Sequence, residues 1–402
     1  VTGWYKKAAD YFRFVNNGQF AFVSTNSITQ GQPVPSLFGP LFSNGWRIKF
    51  AHQTFSWTSE AADAAAVHCV IIGMDKKRRG GATLYTYTDV KGEPTTVPAK
   101  NINAYLVDAP NLFVKKRSTP LSEWVPKVTK GSQPTDGGNL VVEVDEYPEV
   151  KADPIASKYL HRYVGARELL HGADRWCLWL EDATPADIQR SGILRDRLDA
   201  VREFRLGSKK QVTKNLADSP HLFAERRRFT QPYLCIPSVV SETRKFFTAA
   251  RLDAETISSN LVFNAEDPDG YLFGIVSSSM FITWQKAIGG RLKSDLRFSN
   301  TIVWNNFPLP EVSEKLRAEI IAGGQAVLDA RNLHPERSLA DHYNPLAMSS
   351  QLLAAHRKLD KAVDRAFRQK PFNSNEERLE TLLKSYLKMT ENDALIKTKR
   401  RR

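Results

Sequence analysis

Cysteine is scarce. Cys69, Cys177 and Cys235 are the three in 402 residues, and none forms a CxxC pair. Each sits in an apolar context ("VHCVIIG", "RWCLWL", "YLCIP"), which predicts buried small hydrophobes in a reducing compartment, not a disulfide frame or a thiolate metal site. No run of 18 apolar residues occurs, so no membrane span is predicted, and no signal peptide is recognisable. There is no glycine-rich phosphate loop, no HExxH and no GxSxG, which excludes the enzyme classes those motifs define. Eight histidines are scattered without ligand spacing, and His52 and His68 read as hydrogen-bonded core or edge residues. Acidic residues are also short: 44 against 57 Lys and Arg, a net charge of +13. That balance points to an anionic partner, nucleic acid first and a membrane surface second. The chain opens "VTGWYKKAAD" without Met, and the expectation is an interior start with an N-terminal part preceding it.

Hydrophobic periodicity divides the chain. "TGWYKKAADYFRFV" predicts an amphipathic helix, and "GQFAFVSTNSITQG" a buried strand ending in a polar loop, Ser24 to Gly31. "WRIKFAHQTF", "AAVHCVIIGM" and "TLYTYT" predict further strands, the middle one apolar on both faces as a central strand would be. The first 90 residues thus resemble the back half of a doubly wound α/β sheet. Residues 91–155 read as a connector rich in Pro, Gly, Lys and Thr. A mixed α+β region follows, with strand-like "RWCLWL", "YLCIP", "LVFNA" and "LFGIVSSSMF". The segment "TPADIQRSGILRDRLDAVREFR" reads as a helix with Thr184 as N-cap and Pro185 in its first turn. After Pro310 the apolar spacing is helical throughout, and the basic tail "KTKRRR" is expected to be disordered.

Three places could carry chemistry. Ser24 to Gln30 and Gln53 to Ser59 lie at strand carboxyl ends, where open α/β sheets bind ligands. Phe55 and Trp57 there either pack under a neighbouring helix or stack on a flat ligand such as a nucleobase. Arg226, Arg227, Arg228, Arg244, Lys245 and Arg251 cluster against one acid, Glu242, either as phosphate contacts or as a solvated basic face. Lys293, Asp295 and Arg297 alternate, so in an extended segment all three share a face. Lys can donate to guanine and Asp can accept from cytosine, so the pair could read one G·C pair. An ordinary salt-bridge ladder is the alternative.

"FVSTNSITQG", "FAHQTFSWTSEA…AAVHCVIIG", "DGGNL", "RWCLWL", "LKSDLRFSNTIVWNNFPLP" and "LDKAVDRAF" occur in this order. Together they resemble the MmeI-like family of adenine-N6 DNA methyltransferases, which includes bifunctional type IIG restriction–modification enzymes and phage-defence relatives. The resemblance covers nearly the whole chain. It implies the end of a class I methyltransferase domain over 1–120, an α+β target recognition domain over 121–310 and a C-terminal helical region over 311–402. It implies Phe55 and Trp57 as the wall for a flipped base, and Lys293, Asp295 and Arg297 as base readers, with Glu242, Asn264 and Ala265 added. Arg226, Arg227, Arg228, Arg244, Lys245 and Arg291 would contact the DNA backbone.

The sequence departs from the family pattern in two places. The glycine-containing S-adenosylmethionine motif and the Asn-Pro-Pro-aromatic catalytic motif are both missing, as is any nuclease motif. The expectation is therefore a chain that binds double-stranded DNA without holding the cofactor, and that is inactive without an N-terminal methyltransferase half. It would be a cytoplasmic, nucleoid-associated monomer with no membrane partner. The alternatives are a stand-alone DNA-specificity subunit and an RNA-binding protein.

Overall fold

The computed structural model describes residues 2–57, 67–76, 80–87, 89–292 and 294–400, with side chains described through residue 391. The chain divides into two compact units, neither continuous in sequence. One comprises Val1–Val125, Met280–Glu311 and Asp364–Arg402, and the other Pro126–Ser279 and Val312–Val363.

The first unit opens with helix α1 (Thr2–Tyr11) and strand β1 (Gln19–Thr25), then α2 (Pro33–Ser43), β2 (Arg47–Trp57), β3 (Val67–Asp75), β4 (Ala82–Thr86) and β5 (Thr95–Ala99). The strands form one sheet in the order β1-β3-β2-β4-β5. As its two-sided apolar sequence predicts, β3 is an interior strand, between β1 and β2, with Val70, Ile72 and Met74 buried. It runs antiparallel to both β1 and β2, so β1 and β2 point the same way, and β4 joins β2 in parallel. Strand β1 is not buried as a whole: its exposure alternates, as expected of a strand with one covered face. Among the described residues β1 pairs only with β3, and its other edge is open.

The second unit holds two small sheets. Tyr233–Pro237 and Val262–Glu266 form the centre of an antiparallel sheet flanked by Ala250–Leu252 and Thr129–Lys130. Leu160–Val164 pairs with Trp176–Leu178, which pairs with Val141–Val142. Helix Gly192–Leu206 packs Leu194, Leu198 and Val201 onto the second sheet's core. Thr184 does cap as expected, its hydroxyl accepting from the Asp187 amide, but the helix ends at Arg190. Ser191 then turns extended and caps the next helix by accepting from Leu194, so one predicted helix is two.

The run "LFGIVSSSMF" is helical, not a strand: Tyr271–Val276 and Ser279–Ile288 are helices. Every residue of the first is buried, and a helix covered on all sides lacks the polar stripe by which periodicity separates helix from strand. Its start is fixed by the Asp267 carboxylate, which accepts from the Leu272 and Phe273 amides at 2.9 Å each. Gly274 lets it meet helix Glu314–Asn332 backbone to backbone, a Cβ on Gly324 lying 3.2 Å from the Gly274 Cα. The final helix, Asn375–Arg400, runs through most of the basic tail, correcting the expectation of disorder. Lys and Arg are good helix formers and suit a helix carboxyl end. All three cysteines are buried free thiols, as predicted.

A polar chain crosses the core of the second unit. His356 is fully buried and stacks on Phe246 with centroids 3.9 Å apart. Its Nδ1 lies 2.9 Å from the Ser277 carbonyl and its Nε2 2.7 Å from the Tyr343 hydroxyl. A carbonyl only accepts, so Nδ1 carries the proton and Nε2 accepts from Tyr343. Tyr343 in turn accepts from Arg331. Burial, then the Arg331 charge, push the His356 pKa down from 6.5 to about 3. Between these values the unfolded chain binds a proton that the folded chain does not, so stability falls as pH falls through this window. Relative to pH 7, this one group costs about 2 kcal/mol by about pH 5. Denaturant unfolding across that range should show a slope that His356→Gln flattens; equal slopes would refute the assignment.

Candidate nucleic-acid interface

The carboxyl ends of β1 and β2 lie level. Thr25 and Phe55 pair with the same residue of β3, Cys69, so they sit on one face about 10 Å apart, two strand spacings. A one-residue register shift between His52 and Phe55 bends β2 here, the kind of bulge that re-aims side chains at a strand end. Phe55 is half-buried and Trp57 is 48% exposed, so the pair forms a surface feature instead of core. Their rings lie 6.2 Å apart.

Two tyrosines extend this aromatic row. Tyr85 pairs with His52 across the parallel β2–β4 ladder, and their rings stack at 4.1 Å and 5°. Tyr87 stacks on Phe55 at 5.5 Å and 20°, and its hydroxyl meets His52 Nδ1 at 2.8 Å. Burial lowers the His52 pKa, which favours a neutral ring that packs as an aromatic. The sequence signal for this extension is the alternation in "TLYTYT", with both tyrosines on one face.

Of the expected Ser24–Gly31 loop, Ser24 and Thr25 still belong to β1, and the chain turns away only at the 3-10 turn Asn26–Thr29, held by Thr29 Oγ1 donating to the Asn26 carbonyl at 2.8 Å. Asn26 and Gln30 are 6% and 7% exposed, and Asn26 Nδ2 and Gln30 Oε1 are buried without a protein partner. Gly31 has φ +59°, and a Cβ there would lie 3.5 Å from the Gly290 Cα. Its amide donates to the Ile288 carbonyl at 3.1 Å.

That contact ties the loop to the root of a hairpin. Gly290–Leu292 and Asp295–Arg297 pair antiparallel, Leu292 opposite Asp295 and Gly290 opposite Arg297. Leu296 is buried while Arg297 is exposed and Asp295 half-buried, so the two charged residues share the outer face. Lys293 lies outside the described residues. Arg291 donates to the Ser294 carbonyl at 2.7 Å. Buried Gln285 holds the hairpin from beneath, its Nε2 donating to the Arg297 carbonyl at 3.1 Å.

The other expected contact residues belong to the second unit. Arg226, Arg227 and Arg228 form an exposed run. Arg226 pairs with Glu181 at 3.0 Å and Arg228 approaches Glu255 at 3.8 Å. Arg244 is partly committed to the fold, donating to the Leu339 and Ala340 carbonyls. Lys245 and Arg251 are exposed and half-buried, and Glu242 is half-buried. Asn264 and Ala265 are each 1% exposed, within strand Val262–Glu266, so in this conformation neither presents an atom to a base edge. The structure therefore brings Phe55, Trp57, Arg291, Asp295 and Arg297 into one compact unit, and the remaining candidates into the other.

Among the described residues no group of His, Cys, Asp or Glu could hold a metal ion, and no helix is long and apolar enough to cross a membrane. Nor do the residues after β1 fit a cofactor cradle of the glycine-rich kind. They are Asn, Ser, Ile and Thr in a 3-10 turn, and Gly31 serves the approach to Gly290.

The chain thus combines a mixed sheet with aromatic side chains at its carboxyl ends, an α+β region and a helical C-terminal region. Family models agree in order: the MmeI DNA-methyltransferase domain over residues 1–86, the MmeI target recognition domain over 108–311, and the MmeI C-terminal domain over 312–393. The chain belongs to the MmeI family. It is 38% identical over 397 residues to DNA methyltransferase A of Bacillus subtilis (strain 168), covering 97% of this chain and 44% of that protein. It is 41% identical, with a TM-score of 0.84, to the solved type IIL restriction–modification enzyme MmeI in complex with DNA, covering 97% of this chain and 52% of that one. The chain thus spans about half the length of the relatives it matches.

Proposed function

We propose that this chain reads double-stranded DNA and positions the target base for an adenine-N6 DNA methyltransferase that serves restriction–modification or phage defence. The observation that carries this reading is the Gly31–Ile288 contact. It joins the loop at the strand ends to the root of the hairpin bearing Asp295 and Arg297. The hairpin and the aromatic wall then belong to one compact unit, so binding in the correct register delivers the target adenine to Phe55 and Trp57. An enzyme acting on a base within a duplex must extrude that base and hold it against such surfaces.

The chemistry is divided between two halves of the enzyme. S-adenosylmethionine, bound by an N-terminal methyltransferase half, supplies the methyl group. This chain's residues orient the base and exclude water from its faces, and proximity carries much of the rate. Alone the chain binds DNA and does not methylate it. The open edge of β1 offers the N-terminal half a strand edge to complete. The protein works as a monomer beside the nucleoid in the cytoplasm. The sequence divides functionally at 1–120, 121–310 and 311–402.

On the hairpin, Lys293 and Asp295 specify guanine on one strand of a G·C pair, Arg297 reads beside them, and Glu242 reads a further position; Asn264 and Ala265, buried in their strand, do not read bases. Arg226, Arg227, Arg228, Arg244, Lys245 and Arg291 bind phosphates. The test is the double change Lys293→Glu and Asp295→Arg, scored by binding selection on randomised duplexes. One position should change preference from G to C, with discrimination of about 1–3 kcal/mol. An unchanged preference at every position would sink the assignment.

A further inference from the structure

Beside the Ser24–Gly31 loop lies a groove that none of the contacts above uses. It has a volume of about 370 Å³ and is lined by Gln32, Ser36, Val114, Lys115, Lys116 and Ile302 among others. Its polar rim is two lysines, a hydroxyl and an amide, over an apolar floor, and no carboxylate lines it. Lys115 and Lys116 are exposed, so their ammonium groups remain hydrated and mobile. Their backbone, by contrast, is fixed. Asn306 Nδ2 donates to the Lys115 carbonyl at 2.9 Å, and to the Thr301 and Ile302 carbonyls at 3.0 and 3.1 Å. Asn305 Nδ2 donates to the Arg117 carbonyl at 2.8 Å. The Arg117 amide donates to the Thr301 carbonyl at 3.0 Å. The two asparagines of "NNFP" therefore clamp the Lys115–Arg117 segment to the π-helical turn Asn300–Trp304 that follows the hairpin.

We infer that this groove binds a backbone phosphodiester of duplex DNA, with Lys115 and Lys116 as the charged contacts and Gln32 and Ser36 as neutral hydrogen-bonding groups. This inference rests on the DNA-binding reading above and adds a contact to it. Three features support the choice of ligand. Cations without neighbouring carboxylates suit an anion. An open groove suits a polymer passing through it, where a free metabolite needs enclosure. The groove is also fastened on two sides to the readout hairpin: Gln32 follows Gly31, bonded to Ile288, and Lys115 is clamped to Thr301 and Ile302. Phosphate contacts fix the register in which bases are read, and a phosphate site joined rigidly to the hairpin does this for Asp295 and Arg297.

The experiment measures duplex affinity of the full chain against NaCl for wild type, Lys115→Gln/Lys116→Gln, Lys115→Arg/Lys116→Arg and a control pair in the second unit, Lys209→Gln/Lys210→Gln. Each phosphate contact adds about 0.9 to the slope of log K against log salt. The glutamine pair at the groove should flatten the slope by about 1.8 without altering base preference, and the arginine pair should keep it. A slope unchanged by Lys115→Gln/Lys116→Gln in a protein that binds duplex overturns the inference. So does an equal flattening by the control pair, which would mean net charge and not the groove. Lysine acylation supplies the second readout: duplex should protect Lys115 and Lys116, whereas protection by inorganic phosphate at the same phosphate concentration would assign the groove to free phosphate and overturn the duplex assignment. If wild type shows no salt-dependent duplex binding, the DNA reading itself fails, an outcome distinct from the others.

Discussion

Replacing Arg205 by lysine should lower the stability of its unit by about 3–5 kcal/mol, or the melting temperature by roughly 10 °C. Arg205 is 0% exposed. Its guanidinium donates to five backbone carbonyls: Nε to Thr135, Nη1 to Leu216 and Ser219, and Nη2 to Pro134 and Leu222, at 2.7–3.0 Å. All five N–H groups of the planar fork are matched, so one side chain anchors two separate loops, 134–135 and 216–222, to helix Gly192–Leu206. Lysine has three donors on a single tetrahedral nitrogen. It loses at least two of the five bonds to a charged donor, each contributing about 1.5–3 kcal/mol, while the Pro134, Leu216 and Ser219 carbonyls keep the Ala224, Ser219 and Leu222 amides as donors. Thermal unfolding of Arg205→Lys reads this directly. A melting temperature within about 2 °C of wild type would show the fork to be dispensable.

Removing the aromatic wall should slow methylation by the complete enzyme about 10- to 100-fold. Stacking one base on protein aromatics contributes about 1–3 kcal/mol by alanine substitution, and Phe55 and Trp57 are the exposed end of the row. In Phe55→Ala and Trp57→Ala the loss should fall on the extruded state of the base and leave duplex affinity near wild type. A fluorescent purine at the target position should then brighten less on binding. Tyr87→Phe is the informative companion. It keeps the ring that stacks on Phe55 and removes the hydroxyl bonded to His52, so a small effect separates stacking from that hydrogen bond. If Phe55→Ala and Trp57→Ala both methylate within twofold of wild type, the row is not a base-stacking wall.

These two sites differ in how far they could be read from the chain. Arg205 continues the buried stripe of its helix, Leu194, Leu198, Val201, Arg205, at the spacing of four, three and four that marks one helical face. Position alone put it inside, yet residue type argued for solvent, because arginine is almost never fully buried without partners. Its partners are carbonyls of distant loops, which leave no mark on local sequence. Phe55 and Trp57 were visible as aromatics at a strand end. Tyr85 and Tyr87 were visible only as members of another strand, since the β2–β4 pairing joins segments more than thirty residues apart.

The misread elements follow the same logic. "LFGIVSSSMF" is buried on nearly every side, so it carries no polar stripe to set its period, and the Asp267 carboxylate that starts the first helix lies outside the run. The basic tail "KTKRRR" reads as disordered by its charge, but its residues up to Arg400 extend a helix that packs Leu382, Leu383 and Tyr386; Arg401 and Arg402 lie outside the described residues. Once such a helix is anchored, propagation adds a hydrogen bond per residue without a new nucleation cost.

By itself, the sequence determined what local chemistry determines. The strands that alternate or are apolar on both faces, the Thr184 cap, the buried cysteines and the alternating charges of Asp295 and Arg297 all depend on neighbours within a few residues. The order of its motifs also marked the family. The tertiary structure alone decided which of these pieces meet. It set Thr25 and Phe55 level across Cys69, brought Gly31 against Gly290 and clamped Lys115 beside Ile302. Each joins residues tens to hundreds of positions apart, and what is held is backbone, by another strand, an amide or, at Lys115, the Asn306 side chain; groups common to nearly all residues leave no signature in the order of side chains.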